Sequence, residues 1–265
     1  MPITLSCPVV KPTKQRFYDV DRIVRGLAFD IHNEFGRLLS EVIYKRELAN
    51  RCTAAGLDCR REVKAALKHG SFAKDYYIDL LLEHGVPLEA KTAESIVDAH
   101  RAQSMNYLYL AELPHGTLLN FRPLKVGHEF VTTTHTHESR RAVTFITTHW
   151  KSLHPRMEEM RLRLMDLIQD WGALLDTQAY REALIFFMGG TGVIRLIDFF
   201  SDDHVIGQHE MPMLTDDIGL AMTSINRSPS LMRRHLLRFL SHTKMQAIAW
   251  INFNKNQICF ETLQT

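Results

Sequence analysis

Two apolar runs, Tyr77-Ile78-Asp79-Leu80-Leu81-Leu82 and Val86-Pro87-Leu88-Glu89-Ala90-Lys91, are separated only by Glu83-His84-Gly85. Their length and the glycine-containing gap read as two strands joined by a tight turn. Alternate residues of a strand project to one face, so Glu89 and Lys91 point together. A hairpin-like connection can bring Asp79 alongside them. Two carboxylates and a backbone carbonyl make an oxygen-only donor set suited to Mg²⁺ or Mn²⁺. The lysine beside them is suited to orient or help deprotonate a water, or to neutralise charge growing on a phosphate. An exposed strand with charges on its solvent face fits the same Asp…Glu-x-Lys pattern, so the flanking residues have to decide between the two.

Upstream, apolar residues recur at helical spacing through Ile23, Val24, Leu27, Ile31 and Phe35. Gly36 breaks the run, and a second helix is expected from Leu38 to Ala55. Strand-like runs follow at 59–67, 75–82 and 86–92, then a helix over 95–113 and two further strands at 116–121 and 126–133. The polar, His- and Thr-rich stretch 134–155 reads as a connector. Beyond it the same order returns, with helices at 157–171 and 174–188, strands at 192–200, 204–214 and 218–225, a helix at 229–245 and strands at 247–253 and 257–263. This predicts an α/β protein with two tandem domains, 1–133 and 156–265, each a mixed β-sheet flanked by helices.

The two halves also share residues. Phe35-Gly36-Arg37-Leu38-Leu39 and Tyr44 match Trp171-Gly172-Ala173-Leu174-Leu175 and Tyr180 at an offset of 136. Asn120-Phe121 matches Asn252-Phe253 at an offset of 132, which also aligns Arg101 with Arg233 and Glu129 with Glu261. Nearly constant offset with a shared element order reads as an internal duplication.

The stretch Ile31-His32…Gly36…Glu41-Val42-Ile43-Tyr44 resembles the GxxExxY family, a branch of the PD-(D/E)XK nuclease superfamily. In unbroken order it is followed by Arg61-Glu62-Val63, Ile78-Asp79-Leu80-Leu81, Glu89-Ala90-Lys91, His100-Arg101-Ala102-Gln103…Tyr107 and Leu118-Leu119-Asn120-Phe121, covering residues 20 to 131. Leu38 stands where the motif has its glycine, and Gly36 matches a glycine often found two positions earlier. The resemblance implies a restriction-endonuclease-like fold and a metal-dependent nuclease acting on DNA or RNA with Mg²⁺ or Mn²⁺. It implies Asp79 and Glu89 as principal metal ligands with the Ala90 carbonyl beside them, and Lys91 as the catalytic lysine. Glu41 would be a further acidic ligand or water-shell residue, although its spacing equally makes it a partner of Lys45 four residues on. Gln103 and Tyr107 share one helix face and resemble the Gln-xxx-Tyr element of RecB-like nucleases. They would contact nucleic acid or steady the lysine. His32 and His100 fall where the family has histidines, and each serves as well as a structural, hydrogen-bonded residue. His135 and His137 would share a strand face, and without a third convergent ligand they read as connector residues.

Arg51, Arg60, Arg61, Lys64, Lys68 and Lys74 form a basic cluster suited to track a phosphate backbone, or simply a solvated basic edge. Lys and Arg number 32 against 30 Asp and Glu, a net charge of +2, which argues against a strongly polybasic binder. Carried through the offsets, Glu41 pairs with Thr177, Asp79 with Met211, Glu89 with Ala221, Lys91 with Thr223 and Gln103 with His235. The second copy is thus expected to be a degenerate nuclease-like domain. It would complete a monomer with a pseudo-dimeric domain pair, or a homodimer of chains. No apolar run reaches the roughly 18 residues needed to cross a bilayer. Cys7, Cys52, Cys59 and Cys259 lack metal-binding spacing, and with no signal-peptide pattern at the start a cytoplasmic protein with reduced thiols is expected. A catalytically silent nucleic-acid-binding or scaffolding protein that retains the fold is the alternative.

Overall fold

The computed structural model describes Pro2–Gln264 and divides the chain into two compact units, Met1–His137 and Glu138–Thr265. The first unit contains β1 (Ile3–Leu5), α1 (Lys14–Phe35), α2 (Glu41–Ala54), β2 (Cys59–His69), β3 (Phe72–Leu82), β4 (Val86–Lys91), α3 (Asp98–Ala111), β5 (His115–Asn120) and β6 (Gly127–Thr132). Its six strands form one mixed sheet in the order β1-β2-β3-β4-β5-β6. Only β4 and β5 run parallel, and α3 makes the crossover between them.

The first helix begins earlier than the periodicity suggested. The Thr13 hydroxyl caps it by accepting the Arg16 N–H at 3.2 Å. Phe17, Val20, Val24, Ala28 and Ile31 then recur at three- and four-residue spacing on its buried face. These residues pack with Tyr44, Leu48 and Cys52 of α2 against Leu80, Leu82, Val86, Leu88, Ala90, Leu119 and Phe121 of the sheet. Gly36 ends α1 with φ +71°, a conformation glycine adopts without strain. Leu38, in the motif's glycine position, is exposed. The bend is held from α2, where the Tyr44 hydroxyl donates to the Gly36 carbonyl at 2.6 Å and accepts the Leu39 N–H at 3.3 Å. The same ring stacks on Phe121 at 4.4 Å.

In the second unit, α4 (His137–Arg141) at the boundary leads to β7 (Thr144–His149), α5 (Pro155–Trp171), α6 (Thr177–Met188), a 3₁₀ turn, β8 (Ile194–Ser201), β9 (His204–Pro212), β10 (Ile218–Thr223), α7 (Pro229–Ser241), β11 (Ala247–Asn254) and β12 (Gln257–Gln264). Most of the stretch 134–155, expected to be a connector, is therefore ordered structure of this unit. Strand β7 pairs in parallel with β12, Phe145 opposite Ile258 and Ile146 opposite Cys259. Its threonines are β-branched and suit an edge strand with one wet face, and that wetness is what made it look like a linker. Buried Arg140 donates to the carbonyls of Trp171 and Ala173 at 3.0 and 3.2 Å. His135 lies outside regular structure and His137 opens α4, so the two do not share a strand face.

The second unit's main sheet has the order β10-β11-β12-β7, and β8-β9 form a separate two-stranded sheet. Leu88 pairs with Thr117 in β4–β5, and Leu220 with Ala249 in β10–β11, both partners shifted by 132 positions. Asn120 bridges the backbone of Ala93 through its side chain, and Asn252 does the same to Ile225, again 132 positions on. Arg101–Glu129 and Arg233–Glu261 are ion pairs at the same offset. The Tyr180 hydroxyl donates to the Gly172 carbonyl, as Tyr44 does to Gly36. Among the described residues no helix is long and apolar enough to cross a membrane.

Candidate active site

The site begins where a ladder ends. Strands β3 and β4 pair through Leu82↔Val86, Leu81↔Pro87 and Leu80↔Leu88, and there the register stops. Asp79 and Glu89 are the next residues on either side of this fork. Beyond it β4 is held only by β5, with Glu89, Ala90 and Lys91 opposite Leu118, Leu119 and Asn120. The backbone of β4 facing β3 therefore needs another partner, and the Asp79 carboxylate supplies one, accepting the Ala90 N–H at 3.1 Å. On the far side of β3 the register runs from Arg61↔Leu80 to Val63↔Ile78, skipping Glu62 opposite Asp79. Glu62 takes a left-handed backbone with φ +50°.

Both central carboxylates are buried, Asp79 to 6% exposure and Glu89 to 2%. Glu89 Oε1 accepts from the Lys91 ammonium at 2.5 Å, while its Oε2 is buried without a partner. Burial, and then the charge of Asp79, push the Glu89 carboxyl up to about 7 against the pull of Lys91 and Lys45. An orphaned buried carboxylate oxygen is costly. A second orphan, the Ser104 hydroxyl, belongs to α3 and lines the same small cavity as Glu89 and Tyr107.

Around Asp79 stands a cation that the sequence reading did not assign to the site. Lys45 of α2 places its ammonium 2.8 Å from Asp79 Oδ1, 3.6 Å from Glu41 Oε1 and 3.8 Å from Glu62 Oε1. Burial works against the charged lysine. The hydrogen bond to Asp79 and the charges of Asp79, Glu62 and Glu41 outweigh it, so its pKa lies above the ordinary value. Glu41 therefore meets Asp79 through Lys45. Helical spacing puts Lys45 on the face of Glu41, but nothing in the sequence signals its approach to Asp79 or that of Glu62.

Gln103 and Tyr107 lie on one face of α3, the Gln103 amide donating to the Tyr107 hydroxyl at 2.9 Å. Burial, with the charges of Glu89, Asp79 and Glu62, pushes the Tyr107 hydroxyl up to about 12, which sets this pair beside the carboxylates. His32 bonds the Pro123 carbonyl at 3.0 Å, and His100 Nδ1 accepts the Val97 N–H at 3.3 Å at the start of α3. Both are occupied in holding backbone. Of the basic cluster, Arg60, Arg61, Lys64, Lys68 and Lys74 lie along the β2–β3 hairpin, whereas Arg51 belongs to α2 and pairs with Glu34 and Glu47, each at 2.7 Å. Arg60 pairs with Asp58 at 3.4 Å, Lys64 with Asp75 at 2.6 Å, and the Lys74 ammonium sits 5.3 Å from the Tyr76 ring centre. Arg61 stands opposite Leu80 at the fork. Lys68 and Lys74 are about 17–20 Å along the strands from the position of Asp79.

Among the described residues no group of three or more His, Cys, Asp and Glu side chains is arranged as a closed metal cage. What fits a divalent cation here is narrower, two buried carboxylates with one oxygen unpartnered. This donor set is hard and oxygen-based, as Mg²⁺ and Mn²⁺ require.

The first unit is a mixed α/β domain, its sheet flanked by helices, with the paired carboxylates at the β3–β4 fork. Residues 18–131 match the family model of the PD-(D/E)XK nuclease superfamily. No curated protein and no solved structure matches the chain.

Proposed function

We propose that the first unit is a metal-dependent nuclease that hydrolyses phosphodiester bonds of DNA or RNA, of the GxxExxY type within its superfamily. The observation that carries this reading is the unpartnered Glu89 Oε2 beside Asp79, with the Lys91 ammonium on the other Glu89 oxygen. Asp79, Glu89 and the Ala90 carbonyl would hold Mg²⁺ or Mn²⁺, with Glu41 in its outer water shell. A divalent cation bound there supplies Lewis acidity and lowers the pKa of the attacking water. Lys91 orients that water from its place on Glu89 and offsets the charge that develops on the phosphate. Gln103 and Tyr107 position Lys91 and Glu89, and on the substrate side contact the sugar-phosphate chain. Arg60, Arg61, Lys64, Lys68 and Lys74 extend a basic edge along which the strand can run.

We further infer that the second unit is a degenerate copy of the first, a pseudo-nuclease domain. The matching registers, the Asn120 and Asn252 bridges and the paired Arg–Glu contacts at a constant offset support it. Met211, Ala221 and Thr223 stand where Asp79, Glu89 and Lys91 do in the first unit. The Thr223 hydroxyl is committed to Asn252 and Trp250. One observation favours a catalytically silent nucleic-acid-binding or scaffolding role instead, namely the Lys45 ammonium already seated on Asp79.

The deciding experiment incubates wild type and Lys91→Ala with single- and double-stranded DNA and RNA in Mg²⁺ or Mn²⁺. Metal-dependent cutting lost in the variant is the expected result. Cutting that survives Lys91→Ala sinks the assignment, and metal binding without cutting of any substrate favours the silent reading.

A further inference from the structure

We propose that Lys45 is a resident counter-cation of the site, which a divalent metal must displace from Asp79, and that Glu41 and Glu62 form the seat that receives its ammonium. The inference rests on the reading of Asp79 and Glu89 as metal ligands and goes beyond it by naming what controls metal entry.

Four carboxylates, Glu41, Glu62, Asp79 and Glu89, share two ammonium groups, those of Lys45 and Lys91. Lys91 serves Glu89. Lys45 is nearest to Asp79 at 2.8 Å, with its side chain only 16% exposed. A divalent ion bound to a carboxylate oxygen sits roughly 2.0–2.6 Å from it. An ammonium hydrogen-bonded to that same oxygen would then face a doubly charged neighbour at close range in a partly desolvated site, where repulsion is weakly screened. The ammonium has to leave Asp79 Oδ1. It has a short way to go, because Glu41 Oε1 and Glu62 Oε1 already lie 3.6 and 3.8 Å from Nζ. Moving between carboxylates keeps the charge paired throughout, which avoids the cost of an unpaired buried ammonium. The left-handed backbone of Glu62 sets it opposite Asp79, so its carboxylate reaches Lys45 from across the strand.

Two consequences separate this arrangement from a passive ion pair. Metal affinity in the wild type is reduced by the strength of the Lys45–Asp79 bond. Glu62 assists metal binding only as long as Lys45 is there to be received. The test measures Mn²⁺ affinity, by the electron paramagnetic resonance signal of free Mn²⁺, on full-length wild type, Lys45→Met, Glu62→Gln and the double variant. Lys45→Gln serves as a second, more conservative replacement, and circular dichroism verifies the fold of each.

Lys45→Met and Lys45→Gln are expected to bind Mn²⁺ about tenfold tighter or more, the worth of one charge-assisted hydrogen bond. Glu62→Gln should weaken binding in the wild-type background and leave it within about twofold in the Lys45→Met background. Equal or weaker Mn²⁺ binding by the folded Lys45 variants overturns the proposal while leaving the metal site intact. So does a Glu62→Gln effect of the same size in both backgrounds, which would make Glu62 a simple local charge. Absence of Mn²⁺ binding in every protein overturns the metal-site reading itself, and this inference with it.

Discussion

Glu89→Gln tests the electrostatics of the fork without any substrate. Burial and the neighbouring Asp79 raise the Glu89 carboxyl from its ordinary 4.5 to about 7 in the folded, metal-free protein. The folded state therefore holds a proton that the unfolded state releases between these values. Its contribution to stability is fully present below about pH 4.5 and is lost as the pH rises through about 7. At 1.36 kcal/mol for each pH unit of that window, the loss is about 3 kcal/mol. Glutamine keeps the shape and cannot ionise, so the Glu89→Gln protein should lack this decline and exceed wild type by about 3 kcal/mol at pH 8. Tryptophan fluorescence would report the wrong unit, since Trp150, Trp171 and Trp250 all lie in the second. Six of the seven tyrosines lie in the first, which makes near-ultraviolet circular dichroism during urea unfolding in EDTA the suitable assay. The informative quantity is the difference between wild type and variant across pH 4 to 8, which cancels the groups they share. A difference that stays flat, or that grows in favour of wild type as pH rises, refutes the reasoning. Saturating Mg²⁺ should abolish the decline in wild type by stabilising the ionised carboxylate.

Two further substitutions probe the frame that holds the fork. Gly85→Ala places a Cβ 2.1 Å from the Val10 carbonyl oxygen and 2.8 Å from Pro12 Cδ. It should cost about 2 kcal/mol or more in the same urea assay, and a neutral result would mean the β3–β4 turn is not tied to the lead-in segment. Tyr44→Phe keeps the ring against Phe121 and removes the hydroxyl bonded to Gly36 and Leu39. A loss of about 1–2 kcal/mol by urea unfolding is expected, and no loss would show that the helix bend is fixed by packing alone.

How much of this could be read from sequence follows from the range of the interactions involved. Asp79, Glu89 and Lys91 are close because a two-residue period and a short turn determine their placement, and both are local properties. Gln103 and Tyr107 were legible for the same reason, through helical spacing. The limits of the elements shifted where caps and turns decide them, as at Thr13, which starts α1 well before its most periodic part. Strand β1 has only three residues, too few to carry a pattern. Strand β7 carries polar threonines because one of its faces is wet, and only the open edge of β12 explains why it is a strand. Lys45 and Glu62 could not be assigned to the site from sequence. Their place depends on how α2 docks over the sheet and on one left-handed residue, neither of which leaves a signature in composition or period.

The comparison between the two units bears on what the fold needs apart from chemistry. The Asn bridge, the Arg–Glu pair and the tyrosine that closes the helix bend recur at constant offsets. All three satisfy backbone groups or pair charges around the parallel strand pair and helix bend that the two units have in common. The positions of Asp79, Glu89 and Lys91 do not recur. In the second unit Met211 is buried and packed with Ile248 and Trp250, with Ala221 partly buried against them, so apolar side chains stand at the positions offset by 132 from Asp79 and Glu89. A buried pair of carboxylates with one oxygen unpartnered destabilises a domain, and replacing it by apolar side chains removes that cost. The first unit retains the costly arrangement with Lys45 and Lys91 set against it. That cost, present in the first unit alone, supports the proposal that its fork is a working site and that the second unit is scaffold.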